Sequence, residues 1–250
     1  MIIGLIVAVS FPLGAFASLK ARRKIQGRVR ADIASFGSGI FFGAIAFSLV
    51  QESTKLGSPL TMIAGFALGA FMLSGANHQF LRMEERATKE AASINVESPT
   101  GSSHSHGNPM TIVVGSLLDS VPESIFVGVL VALQLPGLYG NSATLFLGNL
   151  ATAMEAAKSM IDRGDTGKRI LLRWIIVFII VGLATPLGFL IARPGSGPQL
   201  SIILGAAAGA LLALITEELI PQAYSQSRIH IGLAATFGFL LAFTLIKLIP

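Results

Sequence analysis

Long apolar runs separated by short polar connections make up most of this chain. Eight of these runs have about the 20 residues that a helix needs to cross the hydrocarbon core of a bilayer. They occupy residues 2–19, 33–52, 60–81, 110–135, 142–161, 170–192, 199–222 and 231–249. The pattern therefore predicts an all-α integral membrane protein with eight transmembrane helices.

One connection, residues 82–109, is much longer than the others and is polar, with Ser and Gly enriched. We interpret it as a mobile cytoplasmic loop within a single transmembrane domain that covers residues 1–250. It separates the first three helices, in 1–81, from two central helices, in 110–161, and the last three, in 170–250. His104 and His106 within it are either a weak metal-binding pair or part of a solvated linker.

Small residues and an acid recur with matching spacing in the second and seventh spans. In span two, Glu52 comes nine residues after Gly43, the second of the glycines Gly39 and Gly43. In span seven, Glu218 likewise comes nine residues after Gly209, the second of the glycines Gly205 and Gly209. Glycines four residues apart allow helices to approach closely. Because the two spans cross in opposite directions, the match predicts an inverted repeat in a 3+2+3 arrangement, a feature of secondary transporters.

Composition and charge agree with a membrane location and add an orientation. Only 12% of the residues are charged, where a soluble chain has about a quarter. Fifteen of the eighteen Lys and Arg residues fall on connections that would share one face. This bias predicts that those connections are cytoplasmic and that both termini lie outside. The membrane that we expect is the plasma (inner) membrane. The net charge of +5 thus reflects topology, and we expect lipid, not nucleic acid, as a partner.

Asp119 and Glu123 are the most informative polar residues, because they lie one helical turn apart inside the fourth apolar span. They fall about 13 to 20 Å from Met110 along a helix, near the middle of a bilayer. Charged groups are costly there and indicate function. The pair can share a divalent cation or a proton, or can be a protonated pair bonded to neighbouring helices. With no cysteine in the chain, thiolate sites are excluded.

Further polar residues lie in spans five and six. Asn149, Thr152 and Glu155 follow one another at spacings of three, which keeps them near one helix face. Glu155 can receive an ion that leaves the central site, or can form an interfacial ion pair with Lys158. Thr185 precedes a proline in span six and supplies either a weak oxygen ligand or part of a packing kink.

Acids also lie near the ends of the second and seventh spans. Glu217 and Glu218 stand at a cytoplasmic helix end, where an acid opposes the helix dipole and needs a cation or a partner. They suggest an exit vestibule, or solvated acids at headgroup level. Glu52, at the outer end of span two, is either a functional acid or an exposed one beside Lys55.

Several of these motifs resemble the ZIP (zinc/iron-regulated transporter-like) family of divalent-metal transporters. Asp-Ser-Val-Pro-Glu-Ser, at 119–124, resembles the family signature His-Asn-x-Pro-Glu-Gly. Thr-Pro-Leu-Gly at 185–188, Glu-Glu-Leu-Ile-Pro at 217–221, the His-bearing loop and the eight-span topology also fit. The resemblance implies zinc, iron or manganese as the transported ion and no organic cofactor. Together with the glycine-rich helix faces, it also suggests a homodimer.

The resemblance implies a central metal site on spans four to six and flanking acids on spans two and seven. The implied central residues are Asp119, Ser120, Glu123, Asn149, Thr152 and Thr185, and the flanking acids are Glu52, Glu217 and Glu218. Since this set holds two central carboxylates and no imidazole, a single ion and the harder ions are favoured.

These observations predict a secondary transporter that moves a divalent cation toward the cytoplasm by alternating access. No Walker-type glycine loop is present in the sequence, so nucleotide hydrolysis is not expected. No Gly-x-Ser-x-Gly or His-Glu-x-x-His motif is present either, which argues against an enzyme. Two alternatives stay open: a proton-coupled carrier of an organic solute, and a non-transporting scaffold or sensor that kept the fold.

Overall fold

The computed structural model describes residues 2–21, 24–25, 27–93, 109–193, 195 and 197–249; at 80, 81, 83–93, 109–112 and 119 only the backbone is described. Within these ranges the chain forms eight helices and no strand. They are α1 (Ile2–Ala21), α2 (Arg28–Leu56), α3 (Pro59–Ser93), α4 (Pro109–Leu133), α5 (Leu138–Asp162), α6 (Gly167–Ala192), α7 (Gly197–Gln226) and α8 (Ile231–Leu248).

Each predicted span lies on one of these helices, and seven of them, all but α5, are long and apolar enough to cross a membrane. The exception carries three charged residues, Glu155, Lys158 and Asp162, in its last two turns. The prediction of an all-α membrane protein is therefore confirmed. Helix α3 continues through Ser93, past its expected end near residue 81. The remainder of the predicted loop, with His104 and His106, lies outside the described residues.

Helices α2 and α7 form the centre of the bundle, since 67% of the most apolar window of each is buried. The corresponding values for α3 and α8 are 17% and 22%, which places these two helices at the periphery. Helix α3 packs along α7, and α8 packs along α2. Two further long contacts join α4 to α6 and α5 to α1. The exposed apolar side chains on the outer helices, such as Phe71 and Phe237, are the surface that lipid would cover.

Glycines bring the central helices close to their neighbours. A Cβ added at Gly39 of α2 would lie 1.9 Å from the carbonyl oxygen of Ala235 on α8. A Cβ added at Gly209 of α7 would lie equally close, 1.9 Å, to the carbonyl oxygen of Phe66 on α3. Side chains larger than hydrogen are therefore excluded at both crossings, as the spacing of small residues predicted.

Both central helices contain a single π-helical segment, at Ile45–Leu49 in α2 and at Ile215–Leu219 in α7. A π turn holds one more residue than an α turn and rotates the chain that follows it, and such turns are frequent at functional sites. The first contains buried Ser48, and the second contains Glu217 and Glu218. Each interruption therefore contains at least one polar residue within an apolar part of its helix.

Candidate functional site

One face of α4 carries buried polar side chains through the middle of the apolar bundle. Ser120, Glu123 and Ser124 are three and four residues apart, which places them on one side of the helix. All three are almost completely buried, and the exposed fraction of Glu123 is 0%. A carboxyl group fully enclosed among apolar helices is costly and marks this face as a functional candidate.

Asn149 of α5 lies at the same depth as Glu123. Helices α4 and α5 contact each other and are joined by a tight connection between Leu133 and Leu138. Measured from that connection at 1.5 Å per residue, Glu123 lies about 15 Å and Asn149 about 17 Å along the helices. Asn149 is completely buried as well. We call Ser120, Glu123, Ser124 and Asn149 the central polar cluster.

Several polar atoms of this cluster lack hydrogen bonds to the part of the chain that the structure describes. They are the hydroxyl oxygens of Ser120 and Ser124 and both amide atoms of Asn149. Leaving a buried donor or acceptor unpaired costs about 1–3 kcal/mol each. Such groups persist where they have a function, and oxygen atoms in this arrangement could coordinate a hard cation.

Asp119, the predicted partner of Glu123, precedes Ser120 on α4, and its side chain lies outside the described residues. The prediction that the two carboxylates act together stays a prediction. Pro122 lies within α4, which continues through it to Leu133.

The two threonines predicted for the central site have other neighbours in this structure. Thr152 is half-buried, and its hydroxyl bonds back to the carbonyl oxygens of Gly148 and Asn149, both at 3.1 Å. The buried Thr185 side chain abuts α1, since its Oγ1 lies 2.2 Å from where a Cβ on Gly4 would stand. Its carbonyl oxygen faces Gly128 of α4. Thr185 therefore marks the crossing of α1, α4 and α6.

Glu155 is buried in a network that the sequence did not predict. Arg30 of α2 donates through Nε to both of its carboxylate oxygens, at 2.5 and 2.7 Å. Gln222 of α7 donates to the same carboxylate, at 2.5 Å. Lys158, the expected partner, pairs with Asp162 instead. Arg30 belongs to a basic segment far away in the sequence, so no local pattern could connect it to Glu155.

Glu155 and Asn149 lie on different sides of α5. They are six residues apart, which is about 120° around the helix at 3.6 residues per turn. Ala151 approaches Gly37 of α2, and Gly148 approaches Phe41 of α2, so the side that carries Glu155 faces α2. In this structure Glu155 therefore belongs to the α2–α5–α7 contact and is separate from the central polar cluster.

The flanking acid of α2 has a partner within its own helix. Glu52 is 8% exposed and accepts a hydrogen bond from Lys55 Nζ at 2.6 Å. The neighbour is the one expected, but the carboxylate is buried and not exposed.

The paired acids of α7 point to two different helices. Exposed Glu217 bonds to Ser74 and Asn77 of α3, the latter at 3.0 Å. The Oε1 atom of Glu218 lies 3.9 Å from where a Cβ on Gly115 of α4 would stand. These acids thus lie between α3 and α4, at the end of the bundle that the basic connections share.

The described residues contain no group of three His, Cys, Asp or Glu side chains placed to hold a metal ion. An ion at the central polar cluster would therefore be held by one described carboxylate and by neutral oxygens. No protein-family model matches the chain, and no curated protein matches its sequence. The functional interpretation therefore depends on the chain's own residues.

Besides Arg30 and Gln222, two buried serines were missed from the sequence alone. Ser124 lies one residue after Glu123 and four after Ser120, so helical spacing from these two residues could have included it. Ser48 is buried at the π turn of α2, and its hydroxyl has no hydrogen bond within the described ranges. Nothing in the apolar pattern of span two distinguishes that position.

Proposed function

We propose that this chain is a secondary transporter that carries a divalent metal cation across the membrane toward the cytoplasm. The single observation that carries the proposal is the central polar cluster: a fully buried carboxyl group at mid-bundle depth, with buried hydroxyl groups on the same face of α4 and a buried amide at a similar depth on α5. Polar groups at the midplane of apolar bundles mark substrate and ion pathways. Secondary transporters bind their substrates at this depth.

The chemistry of the cluster favours a hard or borderline cation. Carboxylate, hydroxyl and amide oxygens suit manganese and iron(II) better than they suit a soft ion, and zinc also accepts carboxylate ligands. If Asp119 joins Glu123, the site has two negative charges for one divalent ion. The ZIP family, which transports such ions, remains the proposed relationship for this chain.

The proposed architecture is an inverted repeat of α1–α3 and α6–α8 around α4 and α5. In such a repeat α1, α2 and α3 correspond to α6, α7 and α8, and α4 corresponds to α5. The α2–α8 contact then corresponds to the α7–α3 contact, and the α1–α5 contact corresponds to the α6–α4 contact. All four contacts exist in the bundle. The π turns support a register that pairs Ile45 with Ile215. This register pairs Glu52 with Gln222, one helical turn away from the pairing with Glu218 that the glycine spacing suggested.

In the proposed transport path, the cation arrives near Glu52, loses water at the central polar cluster, and leaves past Glu155, Glu217 and Glu218. The positive-inside bias supports this direction, because Glu217 and Glu218 lie at the end with the basic connections. A plasma-membrane location with both termini outside, and a homodimer, complete the proposal. Alternating access would come from movement of one bundle against the other.

Uptake into proteoliposomes tests this function directly. Purified protein would be reconstituted and given radiolabelled zinc, manganese or iron(II), with Glu123→Gln compared to the native chain. Losing a charged ligand should cost at least about 1.4 kcal/mol of ion binding, so we expect a roughly tenfold or greater loss of uptake at limiting ion concentration. Asp165→Asn, which removes a carboxylate paired with Arg173 outside the site, should leave uptake within about twofold.

Each other outcome points to a different conclusion. No uptake of any divalent ion by the native protein would refute the transport proposal and favour the scaffold or sensor. A proton flux without metal uptake would favour the carrier of an organic solute. Unchanged uptake in Glu123→Gln would keep the transporter but remove Glu123 from its site.

A further inference from the structure

Three helices meet at one buried carboxylate near the end of the bundle that carries most basic residues. Glu155 of α5 accepts hydrogen bonds from Arg30 of α2 and from Gln222 of α7. The exposed fraction of the Arg30 side chain is 9%, and that of Glu155 is 2%. The contact is therefore enclosed by protein and is not a solvated surface pair.

A second acid and a second base complete the charge balance around this contact. The Nη1 atom of Arg30 also lies 3.0 Å from Asp162 Oδ2, and Lys158 pairs with Oδ1, the other carboxylate oxygen of Asp162. Two positive and two negative groups thus neutralise one another between the start of α2 and the end of α5. No uncompensated charge within this group remains to draw in a passing cation.

Close packing continues from the ion pair toward the middle of the bundle. A Cβ added at Gly37 of α2 would lie 3.1 Å from Ala151 Cβ, and one added at Gly148 of α5 would lie 2.5 Å from the Phe41 ring. A small apolar cluster beside these contacts joins α2, α7 and α8. It contains Ala34, Ala223 and Ile231. Helices α2 and α5 are therefore in direct contact from the ion pair to the depth of Asn149, and α7 packs against α2 beside the ion pair.

We infer that Arg30, Glu155 and Gln222 form an inner latch, which closes the cytoplasmic end of the path and opens by parting α2 and α7 from α5. The inference rests on the proposed transport function. The Arg30 guanidinium occupies the carboxylate that a departing cation would otherwise bind, so the two positive groups compete for Glu155. A buried ion pair adds little net stability but can fix one specific arrangement of the helices, as the closed position of the latch requires.

Thiol accessibility tests the latch without measuring transport. The chain has no cysteine, so Thr152→Cys would provide the only thiol, three residues from Glu155 toward the central polar cluster. A water-soluble maleimide would be applied to the purified full-length protein in detergent micelles, and the labelling rate measured in each variant. Arg30→Gln in this background should raise the rate roughly tenfold or more, as expected when a closed state loses its stabilising contact.

Two further variants keep the test decisive if Arg30→Gln leaves the Glu155 charge buried and fails to fold. Arg30→Gln/Glu155→Gln removes both charges and leaves two neutral amides that can hydrogen-bond each other, and Gln222→Ala removes only the contact from α7. Both should label faster than the Thr152→Cys parent while keeping its melting temperature within a few degrees.

The matched control is Arg173→Gln, which removes the same charge from an ion pair with Asp165 at the same end, outside α2, α5 and α7. It should label at the parental rate. Parental rates in all folded latch variants, or equal acceleration by Arg173→Gln, would overturn the latch. Faster labelling in a protein that takes up no metal would keep the latch and refute only the transport function.

Discussion

Asn149 of the proposed site is a residue that we expect to reduce stability. Its amide is fully buried and has no hydrogen bond within the described ranges. Replacing it with leucine, which has a similar size, removes the buried polar group, so we expect Asn149→Leu to stabilise the ion-free protein by about 1–3 kcal/mol. The same change should lower metal uptake, because one oxygen of the central polar cluster is lost. Thermal unfolding in detergent and uptake by proteoliposomes measure the two effects.

Asn141 is the matched control for this prediction. It lies on the same helix and is also buried, but its Nδ2 donates to the carbonyl oxygen of Gly137 at 2.8 Å. Asn141→Leu should therefore lose a hydrogen bond and lower the melting temperature. If Asn149→Leu lowers it as much, Asn149 has a structural role, and its assignment to the cluster would be wrong.

At the residue scale, the sequence was most informative where a polar side chain lies inside an apolar span. Glu123 could be singled out because a carboxyl group inside an apolar span is costly there, whereas Ser120 came only from the family resemblance. Arg30 could not be identified, because an arginine within a basic segment predicts a solvated position at the membrane surface. Only the close packing of α2 against α5 converts it into a buried partner for Glu155.

At the element scale, glycines decide which helices can touch. Gly39 sits where a Cβ would lie 1.9 Å from the Ala235 carbonyl oxygen, while nothing lies within 4 Å of a Cβ at Gly75 of α3. Gly39→Ala should therefore push α2 away from α8 and lower the melting temperature. Gly75→Ala should raise stability by up to about 1 kcal/mol, because alanine favours a helix over glycine.

The comparison of these two variants is measured by thermal unfolding under identical detergent conditions. Because the substitution is the same in both, helix propensity alone would shift them in the same direction. Opposite shifts support the close α2–α8 contact. If the Gly39→Ala protein is as stable as the Gly75→Ala protein, α2 and α8 lie further apart than the 1.9 Å between a Cβ at Gly39 and the Ala235 carbonyl oxygen implies.

The helices themselves were predictable to within a few residues at most boundaries, whereas their interruptions were not. An apolar run of the right length predicts a helix whether it contains a π turn or not, since one extra residue hardly changes the average pattern. The segments Ile45–Leu49 and Ile215–Leu219 therefore had no signal in the sequence. The glycine spacing therefore pairs Glu52 with Glu218, whereas the alignment of the two π turns pairs Glu52 with Gln222, one helical turn further along α7.

At the scale of the whole molecule, helices α2 and α7 are linked at both ends. At the end opposite the latch, Ser53 donates to the carbonyl oxygen of Ser201 at 2.7 Å, and Thr61 lies 2.8 Å from the Ser201 hydroxyl. At the other end, Glu155 links Arg30 and Gln222. The first contact uses neutral hydroxyl groups, and the second uses buried charges. If the proposed transport works by alternating access with α2 and α7 separating at the hydroxyl end, the hydroxyl contact must open while the latch is closed.

A disulfide at the hydroxyl end tests this requirement. The Ser53 and Ser201 hydroxyl oxygens are 3.3 Å apart, so cysteine sulfurs at these positions need only small rotations to reach the bonding distance of about 2.05 Å. In Ser53→Cys/Ser201→Cys the two new thiols would be the only ones in the chain, and their loss on oxidation can be counted with a maleimide reagent. If this end must open to admit the cation, the oxidised protein should lose uptake roughly tenfold or more, and a reductant should restore it. Each single cysteine variant should transport like the native chain under both conditions. Full uptake by a protein whose thiols are both oxidised would show that α2 and α7 need not separate at this end, and the movement would then be that of α2 and α7 together against α5.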